Sequence, residues 1–305
     1  MRCLTERWNS RLSRRAGGSV LCVLVLIGAM MTLPSAAGAV TLGVSGIFPA
    51  GLHSPLFQRL GLPEARTGVP WNAAITRNPA DRARFAAWLA AAETAHVTPL
   101  VSFSGAGNYI PTLAEYTRAV RAFIAMFPTV RRYTAWNEPD WPYRSLARHP
   151  RLAAGYFNAL SDSCRGCLVL AGDTYLPAPS LRPWLRSYIK GLRVTPRAWA
   201  MHNYRDIREH STAQLRAELQ LTRGPIWIVE TGGILRRGHW EFKNQSAASA
   251  ANDERYLLSL PRRFSRISRI YHYQWQAVRS AGWDSGLISA DGSLRSAYWV
   301  IAAAS

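Results

Sequence analysis

Two glutamates in this sequence follow short apolar runs that are typical of buried β-strands. Glu138 lies in Asn137-Glu138-Pro139, just after the run 132–136, and Glu230 ends the run 226–230. If the runs are parallel strands of a barrel, both carboxylates are expected at the barrel mouth, where the strand ends converge. Two carboxylates facing one pocket can divide the cleavage of a glycosidic bond between a proton donor and a nucleophile. We therefore predict Glu138 as the general acid/base and Glu230 as the nucleophile.

Eight such runs alternate with amphipathic helical stretches, which is the pattern of parallel strands joined by crossover helices. The runs are 41–45, 65–69, 98–103, 132–136, 168–172, 198–204, 226–230 and 270–275. Between them, apolar residues recur at spacings of three and four, as in the stretch that begins at Asn78-Pro79. Eight βα units over residues 40–305 predict an α/β fold: a (β/α)₈ TIM barrel in a single domain.

Residues 40–305 resemble, strand by strand, the large clan of retaining (β/α)₈-barrel glycoside hydrolases that includes cellulases, β-xylosidases and β-galactosidases. In that clan an Asn precedes the acid/base at the end of strand four, and the nucleophile ends strand seven. Asn137-Glu138-Pro139 and Glu230 match this pattern. Within the clan, the chain looks most similar to family 39-like bacterial proteins.

The resemblance implies supporting roles around the two glutamates. Tyr204, in Met201-His202-Asn203-Tyr204, would donate a hydrogen bond to Glu230, and Arg66 would hold the same carboxylate ionised through its charge. His202 would either orient Glu138 or touch a sugar hydroxyl.

Two further residues would contact the sugar itself. Asn137 would hydrogen-bond its 2-hydroxyl, and Trp275 would offer a flat floor to the pyranose ring. Plainer interpretations remain for each pattern: Asn137-Glu138-Pro139 as an ordinary turn, His202 as a core histidine and Trp275 as barrel packing. The reaction needs no cofactor, and no metal site is expected because the histidines are dispersed and no H-E-x-x-H spacing occurs.

The first 39 residues predict a secretory signal peptide. Five arginines precede an apolar run, 20–33, which is followed by Ser35-Ala36-Ala37-Gly38-Ala39. We expect cleavage after Ala39, no stable membrane insertion afterwards, and a protein that is secreted or associated with the cell envelope. The alternative is an uncleaved anchor. Cys164 and Cys167 remain after cleavage, and in an oxidising compartment they predict a small disulfide loop.

The net charge of +19 suggests an anionic partner. It mildly favours an acidic polysaccharide as the carbohydrate substrate. The arginines are scattered and form no nucleic-acid module, so no nucleic acid is expected, and we predict a monomer. Three other functions stay open: a catalytically inactive carbohydrate-binding barrel, a transglycosylase of the cell envelope, and a structural envelope protein.

Overall fold

The computed structural model describes residues 40–105, 109–142, 145–237, 244–279 and 281–305. The predicted signal peptide, residues 1–39, lies outside this part of the chain. Among the helices in the described ranges, none combines the length and the apolar character that crossing a membrane requires.

Eight parallel strands close into a barrel, which confirms the predicted fold. The barrel strands are β1 (Thr41–Ser45), β2 (Glu64–Pro70), β3 (Thr98–Ser104), β4 (Arg132–Thr134), β5 (Leu168–Thr174), β6 (Trp199–His202), β7 (Ile226–Thr231) and β9 (Ile267–Tyr273). The barrel closes where β9 pairs with both β7 and β1. Two short strands, β8 (Arg236–Arg237) and β10 (Trp283–Asp284), pair antiparallel outside the barrel.

Helices follow the barrel strands in the alternating order predicted from the apolar spacing. They are α1 (Pro49–Leu52), α2 (Pro55–Leu60), α3 (Ala80–Thr94), α4 (Leu113–Met126), a 3₁₀ helix (Ser145–Arg148), α5 (Pro150–Ser163), α6 (Ala178–Ile189), α7 (Tyr204–Arg208), α8 (Ala213–Leu221), α9 (Ala247–Arg263) and α10 (Ser296–Ala302). A capping box starts α4, where the Thr112 hydroxyl accepts from the backbone of Glu115 and the Glu115 side chain accepts from that of Thr112.

Each predicted run overlaps one barrel strand, but several boundaries were wrong. The fourth run was expected to continue to residue 136, whereas β4 ends at Thr134 and the chain then enters the loop that carries Glu138. The sixth run was expected to include Tyr204, which instead begins the short helix α7. Both differences lie at the mouth of the barrel, where the backbone leaves the sheet to place side chains.

At the other end of the barrel, a partly buried charge cluster surrounds Glu64. Glu64 accepts hydrogen bonds from Arg132 at 2.6 Å, from Arg269 at 3.0 Å and from the Tyr271 hydroxyl at 2.5 Å. The guanidinium of Arg269 also lies 4.0 Å from the ring centre of Trp227. Every charge in this cluster has a partner, as burial requires.

The predicted disulfide is present. Cys164 and Cys167 are bonded across the turn between α5 and β5, three positions apart in the sequence. Both residues are buried. The bond therefore fixes a tight connection that leads into a strand of the barrel.

Candidate active site

The two predicted glutamates meet at the mouth of the barrel. One oxygen of Glu138, one oxygen of Glu230 and one ring nitrogen of His202 all lie within 4.8 Å of one another. Glu230 is the fifth residue of β7, so its position is set by the sheet. Glu138 has a φ of +46°, which is strained for a residue other than glycine. A hydrogen bond from its backbone N–H to the carbonyl of Asp173, 3.1 Å, holds this conformation.

Arg66 on β2 joins two carboxylates and one amide of the site. Its guanidinium donates to Glu230 Oε2 at 2.6 Å, to Asn137 Oδ1 at 2.5 Å and to Asp173 Oδ2 at 3.3 Å. Burial opposes the charge of Arg66, but the charges of Asp173 and Glu230 outweigh it and raise the pKa of Arg66. Arg66 is thus a permanent cation at the base of the site, next to Glu230, the neighbour that the resemblance implied for it.

His202 lies between carboxylates at the end of β6. Its Nδ1 is 2.9 Å from Glu138 Oε1, and its Nε2 is 2.7 Å from Asp173 Oδ1. Burial alone would lower the pKa of His202, but the nearby charges of Glu230 and Asp173 raise it to about 10. The ring is therefore an imidazolium at neutral pH, and it carries a proton on each nitrogen. Of the two roles predicted for His202, the geometry matches the orientation of Glu138.

Asp173, at the end of β5, is the residue that sequence reasoning missed. The sequence analysis gave it no role in the site, and the structure places it 1% exposed beneath the site. Asp173 contacts His202 through Oδ1 and Arg66 through Oδ2. Its Oδ2 also accepts from the hydroxyls of Ser102 at 2.9 Å and Thr134 at 2.6 Å. Burial would raise the pKa of Asp173, but the charges of Arg66 and His202 outweigh burial and lower it. Its position at a barrel strand end was the signal that could have identified it.

Tyr204 contacts the second oxygen of Glu230. Its hydroxyl donates to Oε1 at 3.1 Å, while Arg66 donates to Oε2. Both oxygens of Glu230 are thereby fixed, as the sequence predicted, although Tyr204 reaches the site from α7. Burial and the charge of Glu230 raise the pKa of Tyr204, so the phenol keeps the proton that it donates.

A cavity of about 220 Å³ opens above these groups, and aromatic side chains form most of its wall. It is lined by Glu138, Trp141, Tyr175, Tyr204, Glu230, Tyr273 and Trp283. The loops after β4 and β5 supply Trp141 and Tyr175, while β9 and β10 supply Tyr273 and Trp283. Such walls offer flat apolar faces beside a few polar groups, as ligand sites commonly do.

Trp275 does not line this cavity, which corrects the prediction that its ring forms the floor of the sugar site. Its side chain is 3% exposed and packs edge-on against Phe57, with ring centres 5.5 Å apart. It also contacts Tyr298 on α10. The aromatic residue of β9 that faces the cavity is Tyr273, two positions earlier in the chain. The indole of Trp275 packs outside the strands against side chains from α2 and α10. This agrees with the interpretation of Trp275 as a residue of the barrel packing.

Asp140 connects two loops of the cavity wall. Its carboxylate accepts from the backbone N–H groups of Tyr175 and Leu176 at 2.9–3.0 Å. Asp140 is 1% exposed, and burial raises its pKa to about 7 despite these hydrogen bonds. The residue thus joins the loop after β4 to the loop after β5, and it anchors Tyr175 relative to Glu138.

Glu138, His202 and Glu230 are close enough to share a cation, so a metal site must be considered. One positive charge argues against it. The Arg66 guanidinium already lies 2.6 Å from Glu230 and pairs with its carboxylate. The arrangement suits proton transfer and nucleophilic attack better than metal binding.

One family model matches the chain. Residues 96–300 match the family model described as "Glycosyl hydrolase catalytic core". No curated protein matches the chain.

Solved structures share the fold at low identity. A family 39 glycoside hydrolase from Bacteroides cellulosilyticus WH2 is similar at 15% identity and a TM-score of 0.58, over 87% of this chain and 63% of that one. A glucosidase from Croceicoccus marinus has 15% identity and a TM-score of 0.63, over 86% of this chain and 66% of that one. A GH128 endo-β-1,3-glucanase from Amycolatopsis mediterranei has 16% identity and a TM-score of 0.58, over 88% of this chain and 100% of that one. The chain thus spans under two thirds of the first two proteins, and these likenesses establish the barrel fold alone.

Proposed function

The chain belongs to the glycosyl hydrolase catalytic core family, and we propose that this glycosidase cleaves β-glycosidic bonds with retention of configuration. The observation that carries the proposal is the approach of the Glu138 and Glu230 oxygens to within 4.8 Å. Retaining enzymes hold their carboxyl groups about 5–5.5 Å apart, whereas inverting enzymes need about 6.5–9.5 Å to admit a water molecule. The closest approach of the two glutamates is thus nearer to the separation of the retaining class, which supports the proposal.

In the first step, Glu138 donates its proton to the glycosidic oxygen as the bond from that oxygen to the anomeric carbon breaks. A carboxylate oxygen of Glu230 attacks the anomeric carbon and forms a glycosyl ester. In the second step, the Glu138 carboxylate takes a proton from water, and the water oxygen displaces Glu230. The proton balance closes, because Glu138 ends as it began.

The surrounding residues prepare Glu230 for attack. Arg66 and Tyr204 donate to its two oxygens, so the carboxylate is held in one orientation beside a positive charge. Arg66 also orients Asn137 by donating to its carbonyl oxygen. The amide nitrogen of Asn137 is then directed to donate to a substrate hydroxyl, the role proposed for it at the 2-position.

We further propose that the sugar in the catalytic cavity is neutral. Glu138 and Glu230 are among the described residues that line this cavity, so the carboxylate of a uronate there would face their carboxyl groups. The high positive charge of the chain would then act on acidic units elsewhere in a polymer or on the cell envelope. We also propose that a cleaved signal peptide exports the protein and that the protein is a monomer.

The test is the release of reducing ends from a panel of β-glucans, xylans, mannans and uronate-containing polymers. Wild type would be compared with Glu138→Gln, Glu230→Gln and Glu209→Gln, the last being an exposed control outside the site. We expect both site variants to lose at least about 1,000-fold in kcat and Glu209→Gln to match wild type. Wild-type rates in either site variant would refute the role assigned to that residue.

Anomeric proton NMR on the first product then tests stereochemistry. A product with the β-configuration of the substrate supports double displacement, and an α-product contradicts it. Transfer of the glycosyl group to added sugar acceptors would identify a transglycosylase. Binding without cleavage of any polymer would identify a sugar-binding barrel.

A further inference from the structure

A groove on the outer wall of the barrel lies between α9 and α10. It measures about 380 Å³ and shares no described lining residue with the catalytic cavity. We propose that this groove binds an acidic sugar unit, a pyranose ring that carries a carboxylate, of the polysaccharide that the enzyme meets. The choice of a carbohydrate ligand rests on the proposed function, which leaves acidic units to be bound outside the catalytic cavity.

The groove forms where the outward faces of the two helices meet. Its lining positions recur at spacings of three and four, so they share one face of each helix: Arg255, Ser259 and Arg262 of α9, and Ser296, Trp299 and Ala303 of α10 and its C-terminal end. Residues on the opposite faces, such as Leu257 and Ile301, are buried. Because half of these lining side chains are small, space remains between the helices for a ligand.

Trp299 provides the flat apolar surface of the groove. Among the tryptophans in the described ranges it alone is mostly exposed, at 54%. Its ring packs edge-on against the buried Tyr298, with ring centres 5.3 Å apart, and the Tyr298 hydroxyl donates to the Leu56 carbonyl at 2.9 Å. The indole is thus supported by the protein core while much of its surface stays in water. A bound sugar ring would cover that apolar surface with its C–H face.

Two arginines give the groove a positive charge. Arg255 and Arg262 are seven residues apart on α9, which is about 10 Å along a helix, so they can hold two points of one ligand. None of the described residues that line the groove is acidic. Arg255 donates to the neutral amide oxygen of Asn252 at 2.6 Å, which leaves its charge uncompensated by that contact.

The acidic residues of α9 itself are engaged elsewhere. Asp253 and Glu254 are buried and do not line the groove. Asp253 lies 3.2 Å from His210, and Glu254 lies 2.9 Å from His272. A ligand carboxylate in the groove would therefore meet guanidinium groups and no carboxylate among the described lining residues. Guanidinium groups bind carboxylates through paired, charge-assisted hydrogen bonds.

The combination of Trp299 with the two arginines favours a sugar acid over simpler ligands. An inorganic anion would pair with the arginines but leave the indole in water. A neutral sugar would cover the indole but leave the arginines without a partner. A uronate unit uses both, and the hydroxyls of Ser259 and Ser296 can bond to its ring hydroxyls. The groove and the catalytic cavity would then bind different units of one polymer.

The test is calorimetry on the full chain carrying Glu230→Gln, so that the ligand is not cleaved. The probes are hexamers of galacturonate and of mannuronate, each compared with its methyl ester, in which the carboxylates are masked. We expect at least one acid hexamer to bind about tenfold or more tightly than its ester, because the ester cannot pair with the arginines.

Substitutions in the same background locate the binding. Trp299→Ala and Arg262→Gln should each raise the Kd of the acid hexamer about fivefold or more. Trp299→Phe keeps a flat ring and should raise the Kd less than Trp299→Ala. Arg121→Gln, which removes the same charge from an exposed position of α4, is the matched control and should leave the Kd unchanged.

Three results would overturn the inference. The first is that no acid hexamer binds, or that Trp299→Ala and Arg262→Gln leave the binding unchanged. The second is that inorganic polyphosphate binds as tightly and is weakened by Arg262→Gln but not by Trp299→Ala, which would identify a site for anions in general. The third is a dimer in sedimentation that Trp299→Ala converts to a monomer, which would assign the groove to a second copy of the chain.

Failure of the groove and failure of the proposed function can be told apart. Release of reducing ends by the chain with an intact Glu230 reports the reaction, whereas calorimetry on Glu230→Gln reports binding alone. Binding that depends on Trp299, without cleavage of any polymer, supports the groove and refutes the reaction. Cleavage without such binding refutes the groove and leaves the reaction standing.

Discussion

The Nδ1 atom of His202 lies 2.9 Å from Oε1 of Glu138. The opposite ring nitrogen lies 2.7 Å from Asp173, so a single imidazole links the proposed acid/base to a buried carboxylate. Because neighbouring charges raise the pKa of His202 to about 10, the ring donates in both directions and accepts in neither. His202 therefore fixes which oxygen of Glu138 remains free for the substrate.

This protonation state is directly measurable. We expect ¹⁵N NMR of the His202 ring to show two protonated nitrogens from pH 6 to pH 9. The folded pKa exceeds the unfolded value of about 6.5, so the stability that it contributes is complete below pH 6.5 and is lost as the pH rises to about 10. A neutral ring at pH 7 would contradict this assignment.

Tyr204→Phe removes one hydrogen bond to Glu230 and keeps the ring that packs against Trp283. We expect kcat to fall about 10- to 100-fold with little change in KM, because hydrogen bonds to charged groups contribute about 1.5–3 kcal/mol. Tyr256→Phe, which removes a hydroxyl bonded to the Ser211 carbonyl, is the control. Steady-state kinetics showing equal losses in both variants would argue against a specific role for Tyr204.

Asp173→Asn keeps the shape of the side chain but removes the charge between Arg66 and His202. We expect the free energy of unfolding to fall by about 3–5 kcal/mol, since a buried ion pair loses one partner. We also expect kcat to fall about 100-fold, because Arg66 and His202 hold the two glutamates. Ser102→Ala, which removes one hydrogen bond to Asp173, should cost only about 1 kcal/mol in urea denaturation. Unfolding curves that coincide with wild type for Asp173→Asn would exclude this account.

Truncation of Trp275 should mainly lower stability, whereas truncation of Trp283 should mainly lower activity. Trp275→Ala leaves a hole beside Phe57 and should lower the free energy of unfolding by about 3–5 kcal/mol. Trp283→Ala opens the cavity wall and should lower kcat/KM about tenfold or more with a smaller loss of stability. Thermal unfolding and kinetics on both variants decide the matter. If Trp275→Ala alone changes KM, the sugar floor belongs to Trp275 after all.

Glu218→Gln should change how stability depends on pH. Burial, followed by the charge of Asp140, raises the pKa of Glu218 to about 8, so the folded protein holds this proton more tightly than the unfolded chain. Wild type therefore loses stability as the pH rises from about 4.5 to 8, whereas a glutamine has no proton to lose. Denaturant titrations at pH 5 and pH 8.5 should show the variant gaining on the order of a few kcal/mol at the higher pH. Glu209→Gln should follow wild type, and parallel curves for Glu218→Gln would contradict the prediction.

The barrel and the positions of the two glutamates could be predicted from the sequence, because both depend on local patterns. Apolar runs define strands, and a residue that follows a run lies at the barrel mouth. Arg66 and His202 lie inside their runs, and the resemblance to known enzymes identified them and supplied their roles. Their contacts with Glu230 and Glu138 have the geometry that those roles require.

What could not be predicted depends on side chains meeting across the barrel. Asp173 looks like a loop residue in sequence, and only its burial beside Arg66 distinguishes it. Trp275 and Tyr273 are two positions apart, and packing from α2 and α10 decides which ring faces the cavity.

Arg66 on β2 and Glu230 on β7 are 164 residues apart in the chain, yet their side chains lie 2.6 Å from each other. The site therefore does not exist in any half of the molecule, and it forms only when distant strands have come together. Long-range contacts of this kind form slowly, because the chain must first be ordered between them. During refolding, the return of enzymatic turnover therefore marks the moment at which the barrel closes, and it should lag behind the return of helical circular dichroism.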